Sequence, residues 1–195
     1  RLARVTDLQA LINRVAKNQR HLGKWARREG LEAYRIYDRD IPEYPFAIDR
    51  YGSWLHVQQF ERRRELPSEL LDDLPVRLAE RFGLPASQVI LKQRQRQRGT
   101  LQYEKTGRTA PSFTVRERGL RFEVNLGRYL DTGLFPDHRE TRRWVGEHTA
   151  GKTLLNLFAY TGSFTVYAAA GDARRTVTVD MSRTYQDWSR RNLVH

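Results

Sequence analysis

The chain has 195 residues, 39% of them hydrophobic, no cysteine, and a formal net charge of +12 from 35 Lys plus Arg against 23 Asp plus Glu. That length can bury a real core in one domain or two small ones, and the lack of cysteine excludes a disulfide framework, a thiolate zinc site and a cysteine nucleophile. No apolar run approaches the roughly 20 residues of a membrane span, the first ten residues carry no apolar signal region, and a pI near 10.4 favours a polyanionic partner in a cytoplasmic setting.

The first predicted element is a helix from about Thr6 to Glu29. Thr6-Asp7-Leu8-Gln9 has the form of a capping box, and Leu8, Leu11, Ile12, Val15, Gln19 and Leu22 recur at helical spacing before Gly30 closes the run. Its other faces carry Arg14, Lys17, Arg20, Lys24, Arg27 and Arg28. Of these, Lys24, Arg27 and Arg28 are RNA-contact candidates, with a merely solvated face as the competing reading. Trp25 fits core packing better than a base-stacking platform.

Strands are predicted at Tyr34 to Tyr37, Phe46 to Arg50 and Trp54 to Phe60, the last two joined as a hairpin through Tyr51-Gly52-Ser53. Ser68 to Phe82 has a helical pattern that Pro75 is expected to kink or split, and Gly83-Leu84-Pro85 ends it. Gln88 to Lys92 is a further strand. It leads into Gln93-Arg94-Gln95-Arg96-Gln97-Arg98-Gly99, where alternation places Arg94, Arg96 and Arg98 on one face, a basic ribbon suited to RNA or else a polar sheet edge. Ser112 to Glu117 and Leu120 to Leu126 form a second hairpin, completing a mixed, largely antiparallel α+β subdomain. Tyr129 to Arg139 then connects to a helix from Arg139 to Glu147, and Asp137 can serve as its N-cap.

The stretch TLLNLFAYTGSFTVYAAAGDARRTVTVD, Thr153 to Asp180, reads as strand, turn, helix, strand. Thr153 to Phe158 has the apolar run of a parallel strand buried on both faces, Phe164 to Ala170 is helical, Gly171 sits where a helix end wants positive φ, and Thr176 to Val179 is β-branched at three of four positions. A glycine turn followed about 20 residues later by a carboxylate at a strand tip is an arrangement that binds an adenosine ribose. Only Gly162 lies in this turn, flanked by Phe158 and Tyr160, so it is a poor cradle for the pyrophosphate a dinucleotide oxidoreductase must hold. S-adenosylmethionine has no phosphate. One glycine and the helix N-terminus at Thr161-Gly162-Ser163 suffice for its carboxylate, with Asp180 accepting the ribose hydroxyls, Met181 packing on adenine, and Ser182 either capping the next helix or meeting the cofactor. The competing reading is a core βαβ unit that binds nothing, with Asp180 as a helix cap. Tyr185, Trp188 and Leu193 form the expected buried side of that next helix. No histidine has metal-ligand spacing and no Ser-His-Asp or Walker pattern occurs, so no metal and no catalytic residue is assigned.

LLNLFAYTGSFTVYAAAGDARRTVTVDMSRTYQDWSRRNL, with WARREGLEAYRIYDRDIPEY, AIDRYGSW and YLDTGLFPDHR, resembles the guanine-N7 methyltransferase half of the bacterial bifunctional 23S rRNA methyltransferase, within the class I S-adenosylmethionine-dependent superfamily. The resemblance implies an α/β fold: a helix at 1–30, an RNA-facing α+β subdomain at 31–127, and at 128–195 the opening βαβ of a Rossmann-like domain that more chain is expected to complete. It also implies that Asp137 and Arg139 lie beside the methyl donor, with Pro136 replacing an aliphatic residue, and that guanine is held by a later loop outside this chain. The implied activity is methylation of guanine N7 in 23S rRNA or its large-subunit precursor. The readings left beside it are a non-enzymatic RNA-binding module and an RNA methyltransferase acting on guanine N2 or cytosine C5.

Overall fold

The computed structural model describes residues 7–60, 66–93, 111–129 and 131–195. The chain divides into two compact units, Arg1–Tyr103 and Glu104–His195.

In the first unit α1, Gln9–Arg28, buries Leu11, Ile12, Val15 and Ala26. Thr6 lies outside the described residues, and at this helix start it is the Asp7 side chain that accepts the Gln9 amide at 2.8 Å. The sheet is β1 (Ala33–Asp38), β2 (Phe46–Tyr51), β3 (Trp54–Gln59) and β4 (Val89–Gln93), hydrogen-bonded in the order β1-β2-β3-β4. The first two pairings are antiparallel and β3–β4 is parallel, its crossover made by α2. Phe46, Ile48, Leu55 and Val57 are wholly buried with the helices' Leu11, Val15, Leu74 and Leu78. Pro75 does not split α2, which runs Ser68–Phe82 as one helix ending on left-handed Gly83. Burial of Leu74 and Leu78 on either side of the proline outweighs the lost backbone bond. Because α1 packs into this core, it belongs to the same unit as the sheet. Arg94, Arg96 and Arg98 lie outside the described residues.

In the second unit β5 (Ser112–Glu117) and β6 (Leu120–Asn125) form an antiparallel hairpin turned by Arg118 and Gly119, both at positive φ. α3 is Arg139–His148, β7 Thr153–Leu157, α4 Ser163–Ala170, β8 Arg175–Val179 and α5 Arg183–Val194. β7 and β8 pair in parallel, in register from Thr153↔Arg175 to Leu157↔Val179. Within this unit the hairpin packs on α5: Trp188 Nε1 donates to Glu123 O at 3.0 Å, and Asn192 Oδ1 accepts from Glu123 N at 2.8 Å.

Three expectations here are corrected. β7 is not buried on both faces, since Leu155 and Leu157 are 58% and 54% exposed. Gly171 ends α4 at φ −90, so it is not a left-handed cap. A Cβ there would overlap the Gly146 carbonyl of α3, and close backbone approach explains the glycine. Leu193 is 44% exposed, because Asn192 occupies the buried slot beside it.

Candidate functional site

The turn after β7 is left-handed at three of five positions: Phe158 (φ 53), Tyr160 (φ 53) and Gly162 (φ 72). A non-glycine residue in that region costs on the order of 1–3 kcal/mol and persists only where its surroundings over-determine it. Here they do. Ala159 N donates to Val179 O at 3.1 Å, and Gly162 N donates to Ala159 O at 2.9 Å. Thr161, wholly buried, donates its hydroxyl to Gly133 O at 2.6 Å, while Gly133 N donates to Tyr160 Oη at 2.7 Å. From α5, Asn192 Nδ2 donates to Thr161 O at 2.9 Å.

Asp180 stands at the tip of β8 and ties this turn to the next helix. Its Oδ2 accepts from Tyr160 N at 2.8 Å, and its Oδ1 accepts from Ser182 N at 2.9 Å. A carboxylate has about four acceptor positions, so roughly two stay available for other donors. Ser182 is the N-cap of α5, its Oγ accepting from Tyr185 N at 3.4 Å. Phe158, the residue after β7, and Met181, two residues after β8, are 87% and 92% exposed. Ser163 opens α4. A carboxylate at the carboxyl end of parallel strands, with bare apolar side chains on the turns that follow those strands, has the chemistry of a nucleoside seat: polar for hydroxyls, apolar for a base.

Gly162 has a packing role inside the second unit. A Cβ on it would overlap Ser189 Oγ and lie 2.9 Å from Ser189 Cβ, so the approach of α5 by itself requires a glycine here.

Asp137 lies in a single 3-10 turn, Pro136–His138, with its side chain 76% exposed. It does not cap α3, whose N-cap is His138. Arg139 is 9% exposed and sits beside Glu117, Nε to Oε2 3.7 Å; burial pushes its pKa down against the opposing pull of Glu117. Glu117 is the centre of a buried network that the sequence reading missed. Arg142 grips it with two hydrogen bonds of 2.9 Å, and the Tyr167 hydroxyl donates to it at 2.9 Å. Burial first, and Glu117 second, raise the Tyr167 pKa. Arg142 also donates to Phe135 O at 2.9 Å, and the Phe135 ring packs on Tyr160 at 5.2 Å, so the network reaches the turn itself. The available signal was Glu117 falling in phase with inward-facing Val115.

In the first unit Lys24, Arg27 and Arg28 are all exposed on α1. Lys24 and Arg28 line an open cavity with His21, Leu22 and Trp25, whereas Arg27 is not among its walls. Among the described residues no cluster of three or more His, Cys, Asp or Glu is placed to hold a metal, and no helix is long and apolar enough to cross a membrane.

A parallel strand pair with an acid at the second strand's tip and a tight turn after the first is the opening of a Rossmann-like α/β unit. Residues 56–194 match the S-adenosylmethionine-dependent methyltransferase family model, and the chain belongs to that family. The family's methyl donor, S-adenosylmethionine, is its cofactor. The fold is shared with a SAM-dependent methyltransferase from Streptococcus mutans and with SMU.776, a methyltransferase solved with SAH; each superposes with TM-score 0.78 and 24% identity over 99% of this chain and 50% of the other. In sequence the chain is 52% identical to "Ribosomal RNA large subunit methyltransferase K" of Neisseria meningitidis, over 98% of this chain and 55% of that protein. It is 49% identical to "Ribosomal RNA large subunit methyltransferase K/L" of Stutzerimonas stutzeri, over 95% of this chain and 26% of that protein. The chain thus spans about half the length of the first relative and about a quarter of the second.

Proposed function

We propose that this chain is the donor-binding and RNA-facing part of a methyltransferase that modifies guanine N7 in 23S rRNA or its large-subunit precursor. The observation that carries the reading is the Asp180–turn arrangement in a chain half identical to a protein named for ribosomal RNA methylation. Bound S-adenosylmethionine supplies an electrophilic methyl group on a sulfonium. Asp180 accepts the ribose hydroxyls through its remaining lone pairs, Phe158 and Met181 pack on the adenine, and Tyr160, Thr161, Gly162 and Ser163 hold the backbone of the seat, with Ser182 keeping the end of α5 in place. Asp137 and Arg139 border the same seat, Arg139 through its place in the Glu117 network.

Guanine N7 has a free lone pair and no proton to lose, so the chemistry requires no general base, and rate comes from alignment and exclusion of water. No residue of this chain is assigned a catalytic role. Lys24, Arg27 and Arg28, with Arg94, Arg96 and Arg98, are the proposed RNA contacts, and the cytoplasm, where ribosomal RNA is available, is the proposed location. The test is methyl transfer to 23S rRNA by the full-length protein, followed by nucleoside mass spectrometry. The reading predicts 7-methylguanosine. N2-methylguanosine or 5-methylcytidine would reassign the acceptor atom, and no transfer would remove the activity.

A further inference from the structure

Along α1, Lys17, His21, Lys24 and Arg28 follow one another at i, i+4, i+7 and i+11, a single exposed stripe on one face of the helix. The stripe is roughly 16 Å long at about 1.5 Å per residue. Two open cavities lie beside it, both within the first unit. One of about 460 Å³ is walled by Lys17, His21 and Leu22 together with Ile36 and Tyr37 of β1. The other, about 520 Å³, is walled by His21, Leu22, Lys24, Trp25 and Arg28. They share His21 and Leu22, and so form one groove with a cationic rim and a largely apolar floor.

Trp25 lines this groove while its inner side packs on the core, and it meets Tyr34 edge-on at 6.4 Å and 89°, which fixes the indole plane. Two carboxylates also line the first cavity, and both have cationic or amide partners. Asp38 accepts from Arg35 at 3.1 Å and from Arg39 at 2.8 Å; Asp40 accepts from Asn18 at 2.8 Å and faces Arg14 at 3.9 Å. Arg28 faces Glu29 at 3.4 Å with its side chain 73% exposed, and among the described residues neither Lys17 nor Lys24 has an acid within ion-pair distance, so the open positive charge on the α1 rim is that of the two lysines.

We propose that this groove seats an unstacked, single-stranded segment of the substrate RNA, with phosphates on Lys17, Lys24 and Arg28 and a base against Trp25 and Leu22. The inference rests on the RNA-methyltransferase reading and assigns the substrate's conformation at a particular surface. Duplex RNA is held through its backbone and wide shallow groove, which needs cations and no apolar pits. Splayed bases need flat apolar or aromatic surfaces between the cations, and the α1 groove combines both. Trp25 is therefore both a core residue and part of a binding surface.

The test uses the full-length protein, a fluorescently labelled single-stranded oligoribonucleotide, and the same sequence as a duplex, with binding read by anisotropy across a salt series. Lys17→Ala/Lys24→Ala/Arg28→Ala should lower the salt slope for the single strand by about 2, three contacts at about 0.7 each. Trp25→Leu should weaken single-strand binding roughly 5- to 150-fold, and Trp25→Phe should restore most of it, with thermal melts confirming that both variants fold. Duplex affinity should change little in either. An unchanged slope in the triple variant overturns the groove assignment. Equal losses for duplex and single strand overturn the unstacked conformation, and competition by polyglutamate as strong as by RNA overturns the choice of RNA as occupant. A wild-type protein that binds no RNA and methylates none sinks the underlying activity as well; a wild type that does both while the variants match it sinks only the groove.

Discussion

Arg142 holds Glu117 through two hydrogen bonds of 2.9 Å, with both side chains 1% exposed, and it extends a third to Phe135 O at 2.9 Å. The pair joins β5 to α3 in the interior of the second unit. Removing one partner leaves a buried charge uncompensated, a loss of about 3–5 kcal/mol, whereas replacing both with apolar residues of similar volume is often neutral. Arg142→Ala should therefore melt far below the wild type, and Glu117→Leu/Arg142→Met should recover part of that loss, the remainder coming from the Tyr167 hydroxyl and Arg139 that Glu117 also faces. Calorimetry on the three proteins checks this, and equal losses in single and double variants would contradict it.

Gly162 and Ser189 make a second coupled pair. Since a Cβ at Gly162 would lie 2.9 Å from Ser189 Cβ at a φ of +72, Gly162→Ala should destabilise the second unit by about 1–3 kcal/mol. Ser189→Gly should recover the steric part of that loss and leave the backbone part. Chemical denaturation of the single and double variants measures both. No recovery at all would mean that contact with α5 is not what requires the glycine.

His56 gives the first unit a pH dependence. It is fully buried in β3, paired in register with Asp49, and burial pushes its imidazole well below the ordinary 6.5, with Lys92 and Arg35 acting in the same direction. A histidine held neutral in the fold but free to protonate when unfolded contributes stability that is complete above about 6.5. That contribution is lost as pH falls below it, at up to about 1.4 kcal/mol per pH unit. Melting temperature should fall between pH 6.5 and 5, and the fall should flatten in His56→Gln. A parallel pH profile in the variant would assign the dependence to other groups.

How far the sequence carries is visible residue by residue. Helix and strand positions were legible because their signals are local: the apolar spacing of α1, the Tyr51-Gly52-Ser53 turn, and the β-branched run of β8. Asp180 and its turn were legible for the same reason, as a spacing along one chain. Non-local facts were not. Gly171 owes its identity to Gly146 on another helix, and Pro75 survives inside α2 because leucines on both sides are buried. Glu117 meets Arg142 and Tyr167, which come from two other elements and carry no mark of that meeting in the sequence. Leu193 turned outward because Asn192 is held inside by Glu123 N and Thr161 O.

The central claim is that the turn closed by Asp180 holds the methyl donor. In this structure Asp180 also fixes Tyr160 and Ser182, so donor binding and local stability are not alternatives for this residue. The most direct measurement is calorimetric titration of SAH into full-length Asp180→Ala beside the wild type, at a temperature where melts show both folded. Hydrogen bonds to a charged group contribute about 1.5–3 kcal/mol, so affinity should fall roughly 10- to 150-fold, together with a lower melting temperature. A lower melting temperature with unchanged SAH affinity would contradict the account.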